Sequence, residues 1–130
     1  METRDLIEKM IESLSKALKR LLKIDANLEN DVFINEFEKF FHNEFGTTND
    51  LEESMNKIET NVAHRGLLTT DMILILYRAA KAYQKRGNNH KSKYYHQLGT
   101  YLESKPRTIS LHDHAMLVEI DEIKKALYNQ

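Results

Sequence analysis

Apolar residues three and four apart open the chain. Leu6, Ile7, Met10, Ile11, Leu14, Ala17, Leu18, Leu21 and Leu22 lay one wide stripe along a helix predicted from Thr3 to Ile24. Lys16, Lys19, Arg20 and Lys23 gather toward its end, where cations complement the helix dipole. A second helix is predicted from Val32 to Phe45. It holds all five phenylalanines, Phe33, Phe37, Phe40, Phe41 and Phe45, on one helical face, a pattern that marks core before ligand pocket. Gly46 is its expected stop. Leu51, Met55 and Ile58 predict a third, weaker helix, with Asn49 or Asp50 as cap. "NVAHRGLL" (61–68) reads as a connection.

"MILIL", Met72 to Leu76, fits a buried strand or a helix by periodicity alone. The apolar pattern continues through Tyr77, Ala79, Ala80, Ala82 and Tyr83, too far for a typical strand. A central helix from about Thr70 to Arg86 follows, ended by Gly87. Another runs from Asn88 or Asn89 to about Ser104. The last begins at Ser110, where "SLHD" resembles a capping box with Asp113 at the third helical position. Met116, Ile120, Ile123 and Leu127 form its stripe.

Five to six helices without a strand signal predict an all-α helical bundle, a single domain over residues 1–130. Four glycines and one proline leave long uninterrupted segments, in keeping with helices. Cysteine is absent, which excludes disulfide and thiol chemistry and suits a reducing compartment. The charged N-terminus lacks the apolar stretch of a signal peptide. No run approaches the roughly 20 apolar residues of a membrane span. A cytoplasmic protein with no membrane partner is expected.

Net charge is −1, unevenly spread. Asp25 to Thr60 carries ten carboxylates against Lys39 and Lys57, a net of −8. Lys81 to Arg107 carries seven cations against Glu103, a net of +6. Such asymmetry fits an anionic partner or two regions that face each other. Because the total is nearly balanced, mutual pairing is the favoured expectation.

"AYQKRGNNHKSKYYHQLGTYLESKP" (82–106) reads as helix, tight turn, helix, stop. With the residues before it, from Leu74, it resembles a tetratricopeptide repeat (TPR), a helix–turn–helix unit of 34 residues. Ala80 stands where the first helix has a small residue at the crossing. Tyr83 matches the aromatic one turn later, Gly87 the turn glycine, and Ser92 and Gly99 the small residues of the second helix. His96 replaces a usual aromatic, Asn89 a common one, and Pro106 comes two residues late. No second copy occurs at that spacing. One such unit cannot bury its own apolar face, so the TPR-like antiparallel hairpin (about 70–106) is expected to form the core pair, covered by the other helices. The opening "RDLIEKMIESLSKALKRLL", the hairpin and the closing "TISLHDHAMLVEIDEIKKAL" together resemble an uncharacterised bacterial family of small TPR-like helical proteins. That family implies no activity.

The TPR resemblance implies a non-enzymatic scaffold or adaptor. Its first helix would expose Tyr77, Lys81, Gln84 and Lys85 on a concave face for a protein or peptide partner. Lysines there suit an acidic or C-terminal carboxylate group.

"DANLENDVFINEFEKFF" carries the alternative, a single degenerate EF-hand-like calcium loop over 25–36. Asp25, Asn27 and Glu29 take the first, third and fifth places, Asp31 offers a backbone carbonyl, and Glu36 is twelfth. Oxygen ligands at this spacing suit a hard cation. Asn30 stands in place of the turn glycine, and no second loop pairs with this one.

Other constellations fail. His112 and His114, two apart, point to different sides of a helix, and H-E-x-x-H is absent. His90 and His96 do not share a face either. "SLSK" and "SMNK" match the serine–lysine motif of penicillin-binding enzymes without its companion elements. No phosphate loop or G-x-S-x-G occurs. No enzyme, cofactor or metal is expected. Tyr83, Tyr94, Tyr95 and Tyr101 beside cations can stack on nucleic-acid bases, but a pI near 6.6 is not that of a dedicated binder. A homodimer through the first helix's stripe is a further expectation.

Overall fold

The computed structural model describes residues 3–46, 50–61, 69–107 and 109–128, without the side chains of residues 3–8, 10, 11, 61 and 128. Among them lie six α-helices, one 3-10 turn and no strand, the all-α class that the periodicity predicts. The helices are α1 (Thr3–Leu22), α2 (Asn30–Phe45), α3 (Leu51–Asn61), α4 (Thr69–Lys85) and α5 (Asn89–Glu103). The 3-10 turn Leu111–Asp113 leads into α6 (His114–Tyr128). The connection from Val62 to Leu68 and the candidate cap Asn49 lie outside the described residues.

Local chemistry sets the helix ends. The Asp50 carboxylate accepts from Glu52 N at 3.0 Å, capping α3. Gly46 closes α2 with a φ of 82° and donates its N–H to the His42 carbonyl. Near the start of α6, the Asp113 carboxylate accepts from Ser110 N at 3.1 Å.

α4 is the central helix. Most of it is buried, and it packs against α1, α2, α5 and α6. The buried apolar side chains form one cluster that draws on all six helices. α1 contributes Leu14, Leu18 and Leu21, and α6 contributes Ile120 and Ile123. Every phenylalanine of α2 is buried. Phe37 meets the edge of Tyr95 at 4.9 Å between ring centroids, and Phe41 meets it at 5.4 Å.

α4 and α5 form an antiparallel hairpin. Small residues let them approach closely: Ser92 Oγ donates to the Ala80 carbonyl at 2.7 Å. The turn is a Schellman motif, with Asn88 N bonded to the Tyr83 carbonyl and Gly87 N to the Gln84 carbonyl. Gly87 supplies the left-handed residue, φ 80°. The Asn88 side chain then caps α5 by accepting from Lys91 N.

The acidic and basic regions face each other. Arg86 pairs with Asp31, Lys91 with Glu38 and Lys105 with Glu59. The Tyr83 and Tyr101 hydroxyls donate to Glu38 and Glu59. α2 and α3 thereby present their carboxylates to the cations of the hairpin. These surface pairs add little stability each but explain why so uneven a sequence carries a balanced total.

Candidate functional site

A cleft of about 700 Å³ lies beside the C-terminal half of α4. α4 supplies one wall with Arg78, Lys81, Gln84 and Lys85. The end of α1 and the following segment supply another with Leu22, Lys23, Ile24 and Asp25. α6 closes it with Glu119, Glu122 and Ile123. Its size falls in the usual range of ligand pockets.

Arg78 fixes these walls together. Its Nη2 and Nε donate to the two oxygens of Glu119 at 2.7 and 2.5 Å. Its Nη1 donates to the Leu22 carbonyl at 3.1 Å, at the last residue of α1. That carbonyl has no partner within its own helix. One guanidinium thus ties α4 to α1 and α6, with its side chain only 17% exposed. Asn30 Nδ2 donates to the Ala82 carbonyl and Lys85 Nζ to the Asn27 carbonyl, holding the start of α2 against α4.

Three of the four expected partner positions meet at this cleft: Lys81, Gln84 and Lys85. Tyr77 does not, and its expected exposure is corrected. Its side chain is fully buried on the α5 side of α4. Gly99 opens a slot for the ring, and the hydroxyl donates to Glu103 at 3.0 Å and lies 3.2 Å from Thr100 Oγ1. Burying a large ring with its hydroxyl satisfied outweighs exposing it. α1 and α6 also pack against α4, and the cleft lies between the three.

The calcium-loop candidates do not converge. Asp25 Oδ1 accepts from Asn27 N and Leu28 N, so it caps its own turn. α2 already begins at Asn30, the sixth position, where a calcium loop makes its sharp turn. Asp31 and Glu36 therefore stand on one helix about 140° apart. Asp31 pairs with Arg86 and Glu36 with Lys39, while Glu29 gives its carbonyl to Phe33 N at the start of α2. Among the described residues no group of three or more His, Cys, Asp or Glu side chains is arranged to hold a metal ion.

The tyrosines beside the basic residues are used in packing. Tyr83 and Tyr95 are buried and stack at 5.5 Å. Burial pushes both hydroxyls well above the usual phenol range, helped at Tyr83 by its bond to Glu38. The Tyr94 hydroxyl bonds to Ser54, the serine of "SMNK". The stripe of α1 that carries the homodimer expectation enters the core at Leu14, Leu18 and Leu21. Leu6, Ile7, Met10 and Ile11 lie outside the described side chains.

A polar cluster joins α4, α5 and α6 away from the cleft. Glu103 accepts from the Tyr77 hydroxyl and from Lys124 Nζ, both at 3.0 Å. The His96 ring lies 5.6 Å from that of Tyr77. Burial, and then Lys124, hold the His96 imidazole below its usual pKa, against a smaller opposing effect of Glu103.

Sequence reasoning missed Arg78, Glu119, Lys23 and Glu122 as cleft residues. A signal existed for Arg78. It is the one charged residue between Met72 and Ala80, and a cation in so apolar a run must find a partner. Nothing in the sequence showed that α6 would supply it. No helix among the described residues is long and apolar enough to cross a membrane. Comparison with protein-family models, with curated proteins and with solved structures finds no match.

Proposed function

We propose that the chain is a non-enzymatic binding scaffold of TPR-like type, which takes a peptide segment of a partner protein in the cleft between α1, α4 and α6. The observation that carries this reading is the meeting of Lys81, Gln84 and Lys85 on one wall of a cleft of about 700 Å³. The TPR-like part is the hairpin, whose small residues Ala80, Ser92 and Gly99 all sit at the α4–α5 contact. In this reading the hairpin is scaffold, and binding takes place on the side of α4 away from α5.

The test is selection of a random dodecapeptide phage library on the immobilised full-length protein. Enriched peptides should bind in solution and lose affinity in Gln84→Trp, which fills the cleft from its half-buried wall. Absence of any enriched peptide, or binding indifferent to Gln84→Trp, would refute this use of the cleft.

A further inference from the structure

The cleft carries a small cationic excess, with Lys23, Arg78, Lys81 and Lys85 against Asp25, Glu119 and Glu122. The Asp25 carboxylate takes two backbone N–H groups. Glu119 is held by both nitrogens of the Arg78 fork. Lys85 is engaged with the Asn27 carbonyl. Lys23 and Lys81 carry no ion pair or hydrogen bond among the described residues. Among the described residues two exposed carboxylates stand opposite them, Glu122 and Asp25, the latter taking both of its bonds on one oxygen.

Arg78 is matched in charge by Glu119 but keeps donors to spare. A guanidinium has five N–H donors, and the bonds to Glu119 and Leu22 use three of them. The remaining two belong to a side chain that lines the cleft. Lys81 follows Arg78 by three residues on α4, so the two share a helical face. Lys81 is half-buried, which strengthens its attraction for an anion over that of a fully solvated lysine. Beside these cations the cleft is lined by the apolar Ala82 and Ile123, both nearly fully buried.

We infer that Lys81, supported by the unused donors of Arg78 and by Lys23, forms an anion subsite that takes an acidic side chain of the bound segment, with an apolar neighbour of that side chain against Ala82 and Ile123. This rests on the peptide-binding reading above. It adds that the partner segment is acidic, and it names Lys81 as the residue that selects it.

The experiment begins with the peptides enriched from the dodecapeptide library. Each is resynthesised with its acidic residues changed one at a time to the isosteric amide, Glu→Gln or Asp→Asn. Binding to the full-length protein is measured by isothermal titration. One acidic position should dominate, its amide binding about tenfold more weakly, as expected for loss of a charge-assisted contact. Lys81→Met, which keeps the aliphatic stem, should weaken the parent peptide about as much and leave the amide peptide nearly unchanged. Lys93→Met, an exposed lysine outside the cleft, should change neither. Peptides that enrich without an acidic preference, or parent and amide that bind Lys81→Met with the same tenfold gap, would overturn the inference while leaving the peptide reading intact. Failure to enrich any peptide would overturn both.

Discussion

Gly99 faces the ring of Tyr77 so closely that a Cβ placed on it would lie 3.3 Å from the ring's Cζ. The ring has little room to retreat. It is fully buried, and its hydroxyl is engaged with Glu103 and Thr100. Gly99→Ala gains up to about 1 kcal/mol of helix propensity, but overpacking a fixed ring costs about 1–3 kcal/mol. The variant should lose about 1 kcal/mol in urea unfolding, and Gly99→Val more. In a Tyr77→Leu background the same Gly99→Ala change should become neutral or stabilising. A stabilising Gly99→Ala in the natural chain would show that the ring yields.

Gly87 is a different case, because nothing lies within 4 Å of where its Cβ would stand. Only its φ of +80° resists a side chain. Gly87→Ala should therefore cost about 1–2 kcal/mol, the left-handed penalty of an ordinary residue. Gly87→Asn should cost less, because asparagine tolerates that region. Equal losses for the two would show that the backbone angle is not what resists a side chain there.

Removing Arg78 leaves Glu119 without its partner and the end of α1 without a donor. Arg78→Met should destabilise the chain by about 2 kcal/mol, a figure below that of a fully buried pair because Glu119 is 37% exposed. Arg78→Lys should recover only part, since an ammonium cannot reproduce the planar fork. Thermal unfolding of both variants checks this. Full rescue by lysine would reduce the role of Arg78 to charge alone.

The helices were legible because their signals are local. Five phenylalanines on one face and a glycine after Arg86 each act within a few residues, and the structure uses each where the sequence places it. The site was legible only in part because its geometry is set by helices distant in sequence. Lys81, Gln84 and Lys85 share the cleft, but Tyr77, one turn earlier, turns toward the slot that Gly99 opens. Spacing within α4 cannot show where α5 leaves room. The calcium-like loop shows the same limit at short range. Its ligand types fit the spacing of an extended loop, whereas Asp25 caps a turn and α2 begins at Asn30. The charge asymmetry resolves only when α2 and α3 come to rest against the hairpin.

The pH response of the fold should depend on His96. Burial and Lys124 favour its neutral form in the folded chain, so its pKa lies below the ordinary value. The unfolded chain then binds the proton more tightly, and stability rises with pH wherever the unfolded state carries more protons. The contribution is fully present above about pH 6.5, the unfolded value. It is lost as pH falls through that value toward the lower one of the folded state. Asp71 and Glu44 act in the opposite direction. Burial raises both, so their effect on stability declines as pH climbs through and above the ordinary carboxylate range. The urea midpoint should accordingly be higher at pH 7.5 than at pH 5.5. His96→Phe keeps a ring against Tyr77 and removes the titration, so it should shrink that difference while retaining most of the stability at pH 7.5. An unchanged difference in His96→Phe would mean that the junction of α5 with α6 does not sense pH.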